Sequence, residues 1–242
     1  METVADDLIV LSIRPNGVIG TAAKLRFGLS GTELVRLAAL RRVNIDDGRI
    51  IVVDEAPTGD VLLDEALASM EGGLEPRRAS DWVAAAERGD VARAYLERLS
   101  GAGTIRAERR KALGLIAVTG WTVVDAGRLA EARERLDAVA YGLTGVGPEQ
   151  ALLAGLAGAI GLTSLVYPGF AGRAARKGVA AAASSPAADA ATRAVTDAAA
   201  RASINPATDS LNGTIESLSW DETDTAGPAG PRERGAFPGP AA

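Results

Sequence analysis

The sequence contains no histidine and no cysteine in 242 residues. Without histidine there is no imidazole general base, and no Ser-His-Asp or Cys-His nucleophile. Without cysteine there is no disulfide framework, no zinc-thiolate site and no thiol chemistry. A metal would have to bind through carboxylates alone, as Mg and Ca do. Positive charge is also in the minority: 26 Lys and Arg face 31 Asp and Glu, for a formal net charge of -5. That balance argues against a dedicated nucleic-acid binder. The basic leader of a secretory signal is missing, since residues 1–13 carry Glu2, Asp6 and Asp7 and no base. One uncharged run, Gln150 to Gly172, is long enough to cross a bilayer. Gly155, Gly158, Gly161 and Gly169 dilute it, and Pro168 cuts it. It reads as a helix packed inside a bundle, not as a membrane span.

The negative charge is unevenly placed. From Ser184 onward eight acids oppose four bases, so this end carries -4 and residues 1–183 only about -1. A basic face on the first part is compatible with that near-neutrality. The end is Ala-rich from Val179 to Ala202, then Ser/Thr/Asn/Asp-rich, then Gly/Pro-rich from Ala226. Alanine buries little area to offset the entropy of ordering. The reading is a domain over 1–183 and a low-complexity, disordered or transiently helical tail over 184–242.

Along the domain the pattern is mainly helical. Thr3 precedes a helix over Val4–Ile13, with Val4, Leu8 and Leu11 on one face. A second helix spans about Thr21–Arg41. Its Gly28 and Gly31 imply either close approach of another backbone or a break. Val43–Val53 is a hairpin around Asp47-Gly48. Asp60 or Thr58 caps the next helix, with Leu62, Leu63, Ala66 and Leu67 inward. Ser80 caps another that continues through Tyr95 and Leu99 to Gly103. Short strands are expected at Thr104–Arg106 and Leu113–Val118, flanking a basic segment, with Trp121–Val124 following. Asp125 caps a helix to about Tyr141, Pro148 opens the buried helix, and a last helix covers about Ala171–Ala183. The order over 80–124 is winged-helix-like. The fold class is therefore mainly α, a helix bundle with short β-hairpins.

Two groups of side chains carry candidate chemistry. Asp54, Glu55, Asp60, Asp64 and Glu65 are acidic and close in sequence, and Asp60 and Asp64 share a helical face. They suit either a carboxylate site or plain helix capping. The second group is Arg106, Arg109, Arg110 and Lys111, beside Leu113, Leu115 and Ile116. An apolar hairpin tip with cations around it suits an anionic bilayer: the tip inserts shallowly and each base near the surface adds about 1 kcal/mol. The same residues suit a wing on DNA phosphates, or a solvated charge run over a core strand.

The unbroken run Ala56-Pro57-Thr58-Gly59-Asp60-Val61-Leu62-Leu63-Asp64-Glu65-Ala66-Leu67 resembles the Golgi phosphoprotein 3 family and its bacterial relatives. Asp6–Leu11, Gly28-Leu29-Ser30-Gly31, Val43–Val53, Ser80-Asp81-Trp82 and Leu96–Ile105 are similar to the same family, so the resemblance covers about residues 3–178. It implies a mostly helical, non-enzymatic domain that binds membranes through phosphatidylinositol 4-phosphate, assisted by an apolar hairpin that also serves self-association. Eukaryotic members are adaptors for glycosyltransferases. The Ala/Gly/Arg-rich composition suggests a high-GC bacterial member.

By that resemblance the family's lipid pocket falls on changed residues. Its tryptophan falls near Thr21, its turn arginine on Ser30, and two further arginines near Gly89 and Ala92, flanked by Arg88 and Arg93. Arg26, Ser30, Arg88 and Arg93 are thus the lipid-binding candidates. Arg109, Arg110, Lys111, Leu113, Leu115 and Ile116 form the membrane hairpin. The expectation is a cytoplasmic protein, peripheral on the inner membrane face, with no catalysis, cofactor or metal and an anionic phospholipid headgroup as partner. The rival expectation is a protein-interaction or homo-oligomerising module that has lost phosphoinositide binding. A nucleic-acid partner is not expected.

Overall fold

The computed structural model describes residues 4–70, 76–85, 88, 90–112, 116–143, 145–182 and 189–204. Within them are ten α-helices and two two-stranded antiparallel sheets. The fold is mainly α. Three helices make its centre: α1 (Val4–Ser12), α2 (Ala22–Ala39) and α7 (Pro148–Ala159). Helix α1 has Ala5, Leu8, Ile9, Val10 and Leu11 all buried. Apolar residues buried that far round a helix place it in an interior.

The two glycines of α2 do not break it. A Cβ on Gly28 would stand 3.2 Å from Leu8 of α1, and one on Gly31 would stand 2.6 Å from Val195. They are notches for neighbouring side chains. Strands β1 (Val43–Asp46) and β2 (Arg49–Val52) follow, joined by Asp47 (φ 45°) and Gly48 (φ 70°). Positive φ at both turn residues matches the right-handed twist of the strands.

Helix α3 (Val61–Ala68) explains the acidic run. Asp60 accepts from the Leu62 amide at 3.1 Å and pairs with Arg36 at 2.9 Å. Asp64 accepts from both the Thr58 hydroxyl and the Thr58 amide at 2.6 Å, which holds its carboxyl below the ordinary range. Asp54 pairs with Arg42. These carboxylates fix a loop and a helix start, and among the described residues no cluster of three or more metal-ligating side chains forms.

Next come α4 (Ala79–Val83) and α5 (Val91–Gly101). They are separate helices, not one interrupted run, and α4 starts one residue before Ser80, so Ser80 is not its cap. Strands β3 (Ile105–Ala112) and β4 (Ile116–Val123) form one hairpin in place of the separate strand and hairpin expected over 104–124. The basic segment lies within β3 rather than between two short strands. The cause is strand pairing: Arg109 opposes Thr119 and Lys111 opposes Ala117, so the ladder runs through the charges.

Helix α6 (Ala126–Ala140) is capped by Asp125, which accepts from the Arg128 amide at 2.9 Å. The uncharged run divides into α7 and α8 (Leu162–Val166) at Gly161, whose φ is 77°. Among the described residues no helix is long and apolar enough to cross a membrane. Helix α9 (Arg173–Ala182) and helix α10 (Asp189–Ile204) complete the order.

Helix α10 corrects the domain boundary, because it lies in the stretch read as a tail. Ala191, Ala194, Val195, Ala198 and Ala199 are buried at helical spacing against α2, α4 and α7. The partner surface supplies what alanine lacks. Gly31 receives Val195, a Cβ on Gly155 of α7 would stand 2.7 Å from the Thr192 hydroxyl, and Arg201 pairs with Asp81 at 2.7 Å. Residues 205–242 lie outside the described residues.

Candidate functional site

Four bases and one acid, Glu108, sit in β3, so the strand carries a net charge of +3. The hairpin is rooted at the end where its two strands leave the bundle. Ile105 and Trp121 are buried there, and the Trp121 amide donates to the Gly17 carbonyl at 2.8 Å. Beyond that root Arg106, Ala107 and Arg109 are exposed. Side chains alternate along a strand, so positions 107, 109 and 111 fall on one face of the ribbon and 106, 108 and 110 on the other. Arg106 and Arg109 therefore stand on opposite faces of the ribbon. Leu113 and Leu115 lie outside the described residues. Ile116 begins β4, opposite Ala112.

A cavity of about 400 Å³ opens beside the root, walled by Val10, Leu11, Ile13, Leu129, Leu165 and Val166. Arg14 and Arg133 also line it. Arg14 is exposed, whereas Arg133 bonds to Asp137 and to the Val166 carbonyl.

The four lipid-binding candidates are not brought together as a surface cluster. Ser30 is 0% exposed and points into the core of α2. Arg88 is 7% exposed, paired with Glu33 at 1%, and its Nε reaches Ser30 Oγ at 3.4 Å. Its guanidinium also stacks 4.7 Å from the centre of the Trp82 ring. Arg88 is thus occupied internally, with its charge already matched. Arg26 is half-buried, donates to the Ala85 carbonyl at 3.1 Å and stacks on Phe27. Arg93 is exposed and pairs with Glu97 one turn along α5 at 2.7 Å. Ser30, Arg88 and Arg26 meet around α2 and α4; Arg93 takes a separate surface pairing.

Glu33 was the missing partner in the sequence reading. It lies with Ser30, Leu34 and Leu37 on one face of α2, an acid inside an apolar stripe, and that was the available signal. Burial pushes its carboxyl up to about 7, against the pull of Arg88. The sign of the resulting pH dependence follows from proton binding. Between the ordinary carboxyl range and pH 7 the folded state holds the extra proton, so this contribution is full below that window and fades as pH rises through 7. Wild type should therefore gain about 1 kcal/mol between pH 8 and pH 6 relative to Glu33→Gln. Parallel thermal melts of the two proteins check it; identical pH profiles would contradict it.

A second buried pairing ties α1 to α6. Asp7 is 1% exposed and faces Arg128 at 2.7 Å and Arg135 at 2.8 Å. Burial raises its carboxyl even so, with both arginines opposing the rise. Asp6 pairs with Arg98 at 2.6 Å, which stands 3.9 Å from Asp60. Asp6 of α1 and Asp60 of the 56–67 run thus share one set of ion pairs, through Arg98 and Arg36, joining α1, α2, α3 and α5.

The architecture can be compared with known families on these features: an acidic apolar first helix, glycine notches in the second, the capped α3 and the basic hairpin. No curated protein gives a significant match to the chain. The family model of Golgi phosphoprotein 3 (GPP34) matches residues 4–201, from the start of α1 into α10. The chain belongs to the Golgi phosphoprotein 3 family.

Proposed function

We propose that this chain is a non-catalytic, peripheral membrane or adaptor protein that docks on anionic phospholipid. By family likeness the headgroup is phosphatidylinositol 4-phosphate, and the location is the cytoplasmic face of a membrane. The observation that carries the reading is the β3–β4 hairpin, with Arg106 and Arg109 exposed on opposite faces and a net charge of +3 on β3. A ribbon with an exposed cation on each face meets an acidic surface whichever face turns toward it.

One observation favours a second reading, a protein-interaction or oligomerising module that has lost phosphoinositide binding. Ser30 and Arg88, two of the candidate headgroup ligands, are buried and paired within the core. A monophosphoinositide needs several converging donors, and this pocket offers none of Arg88's charge.

Vesicles separate the readings. One set carries phosphatidylinositol 4-phosphate, a second carries equal charge as phosphatidylserine, and a third is neutral. Stronger binding to the first supports specific headgroup recognition. Equal binding to the first two supports docking by charge alone. Binding to none of them overturns the membrane reading in favour of the interaction module.

A further inference from the structure

Between Glu149 and Asp189 the chain has no acidic residue, and its only charges are Arg173, Arg176 and Lys177. All three lie on α9. Arg173 and Lys177 are exposed, whereas Ala175 and Val179 face the core. The helix docks closely there: a Cβ on Gly178 would fall 2.0 Å from the Ala140 carbonyl oxygen of α6. Its charged face is thereby fixed outward.

The segment entering α9 presents a large apolar group. Phe170 is 85% exposed, more than any other large hydrophobic residue among those described. Its position is built. Gly169 adopts φ 65°, the Arg173 amide donates to the Phe170 carbonyl at 3.0 Å, and Arg176 donates to the carbonyls of Tyr167 and Gly169. Arg173 stands 6.0 Å from the Phe170 ring centre. Tyr167, buried below, packs edge-on against Tyr141 at 6.4 Å. Tyr141 is 60% exposed and Leu143, two residues on, 57%. An arginine-braced loop thus holds an aromatic ring in water, on the side of Tyr167 that also meets Tyr141, and the acid at this end, Asp137, is engaged by Arg133 and by the Tyr167 hydroxyl at 2.5 Å.

We propose that this end of the bundle, Phe170 with Tyr141, Leu143, Arg173 and Lys177, is a second contact surface for an anionic bilayer. The inference rests on the membrane reading above and adds a site to it. Charge complementarity chooses the occupant: Asp137 is already paired with Arg133, so exposed Arg173 and Lys177 leave an excess of cations around a protruding ring, which suits the boundary between acidic headgroups and acyl chains. The site is separate from the hairpin. The hairpin enters α6 at its first residue and Tyr141 follows its last, and a helix of 15 residues is about 22 Å long. Two weak anchors engaged on one bilayer reinforce one another, because binding at one raises the effective concentration of the other.

The absence of cysteine makes the test clean. A single cysteine at Leu143→Cys, or separately at Arg109→Cys, carries an environment-sensitive dye in the full-length chain. Phosphatidylserine–phosphatidylcholine vesicles at low ionic strength are the probe. The dye at 143 is expected to shift to the blue on vesicles. Phe170→Ser in that background is expected to abolish the shift. Arg173→Gln with Lys177→Gln is expected to weaken vesicle binding by roughly thirtyfold, about fivefold for each cation. A blue shift at 109 with none at 143 overturns this inference and leaves the hairpin reading intact. No vesicle binding by either labelled protein or by the wild type overturns both. A shift at 143 without vesicles that grows with protein concentration also overturns it, and assigns the patch to self-association.

Discussion

Replacing Arg109, Arg110 and Lys111 with alanine is expected to weaken partition onto phosphatidylserine vesicles by roughly a hundredfold at low ionic strength. Each base near an acidic surface is worth about 1 kcal/mol, so three together give about two decades. The triple variant leaves β3 with Arg106 against Glu108, a net charge of zero. Stability should hold, because Ile105 and Trp121 root the hairpin and positions 109–111 lie beyond them. Substitutions in such places usually change stability by no more than about 0.5 kcal/mol. Salt should mimic the variant: wild-type binding should fall toward the variant's as the Debye length shrinks. Binding that is unchanged by the substitution would remove the hairpin from the membrane contact.

The largest stability effect is expected at Arg88 and Glu33. Alanine at either position leaves the other charge buried without its partner, which costs about 3–5 kcal/mol. For a domain of this size that is a fall in Tm of roughly 10 °C. Replacing both, as Glu33→Leu with Arg88→Met, removes the charges together and should recover most of the loss. The double variant should bind anionic vesicles like the wild type, because Arg88 is enclosed by Glu33, Ser30 and Trp82 and is not offered to a lipid. Differential scanning calorimetry and vesicle flotation on the same preparations check both statements. An Arg88→Ala protein with an unchanged Tm and lost binding would return Arg88 to a headgroup site.

Much of the fold could be read from local signals. Asp47-Gly48 announced the first hairpin, Asp125 and Pro148 marked helix starts, and the spacing of Leu8 and Leu11 gave α1 its face. Each of those signals acts within a few residues. The failures are tertiary. Helix α10 is alanine-rich and looks unable to bury enough surface, and only the notches at Gly31 and Gly155, far away in sequence, make its stripe fit. The basic run in β3 reads as a loop by composition, yet pairing with β4 carries it through as a strand. Of the site, the hairpin was legible because charge and apolar residues cluster locally. The burial of Ser30 and Arg88 was not, since it depends on Glu33 and Trp82 meeting them from other parts of the fold. Phe170 gave no periodic signal at all; its exposure follows from the loop that Arg176 braces.

The central claim is that this member of the family meets acidic membranes through charge held on a neutral-to-acidic chain. Flotation of the wild-type, full-length protein with phosphatidylserine–phosphatidylcholine vesicles at low ionic strength tests it most directly. The protein is expected to rise with the acidic vesicles, to stay behind with phosphatidylcholine alone, and to be released by salt. Protein that remains at the bottom of the gradient with both kinds of vesicle would contradict it.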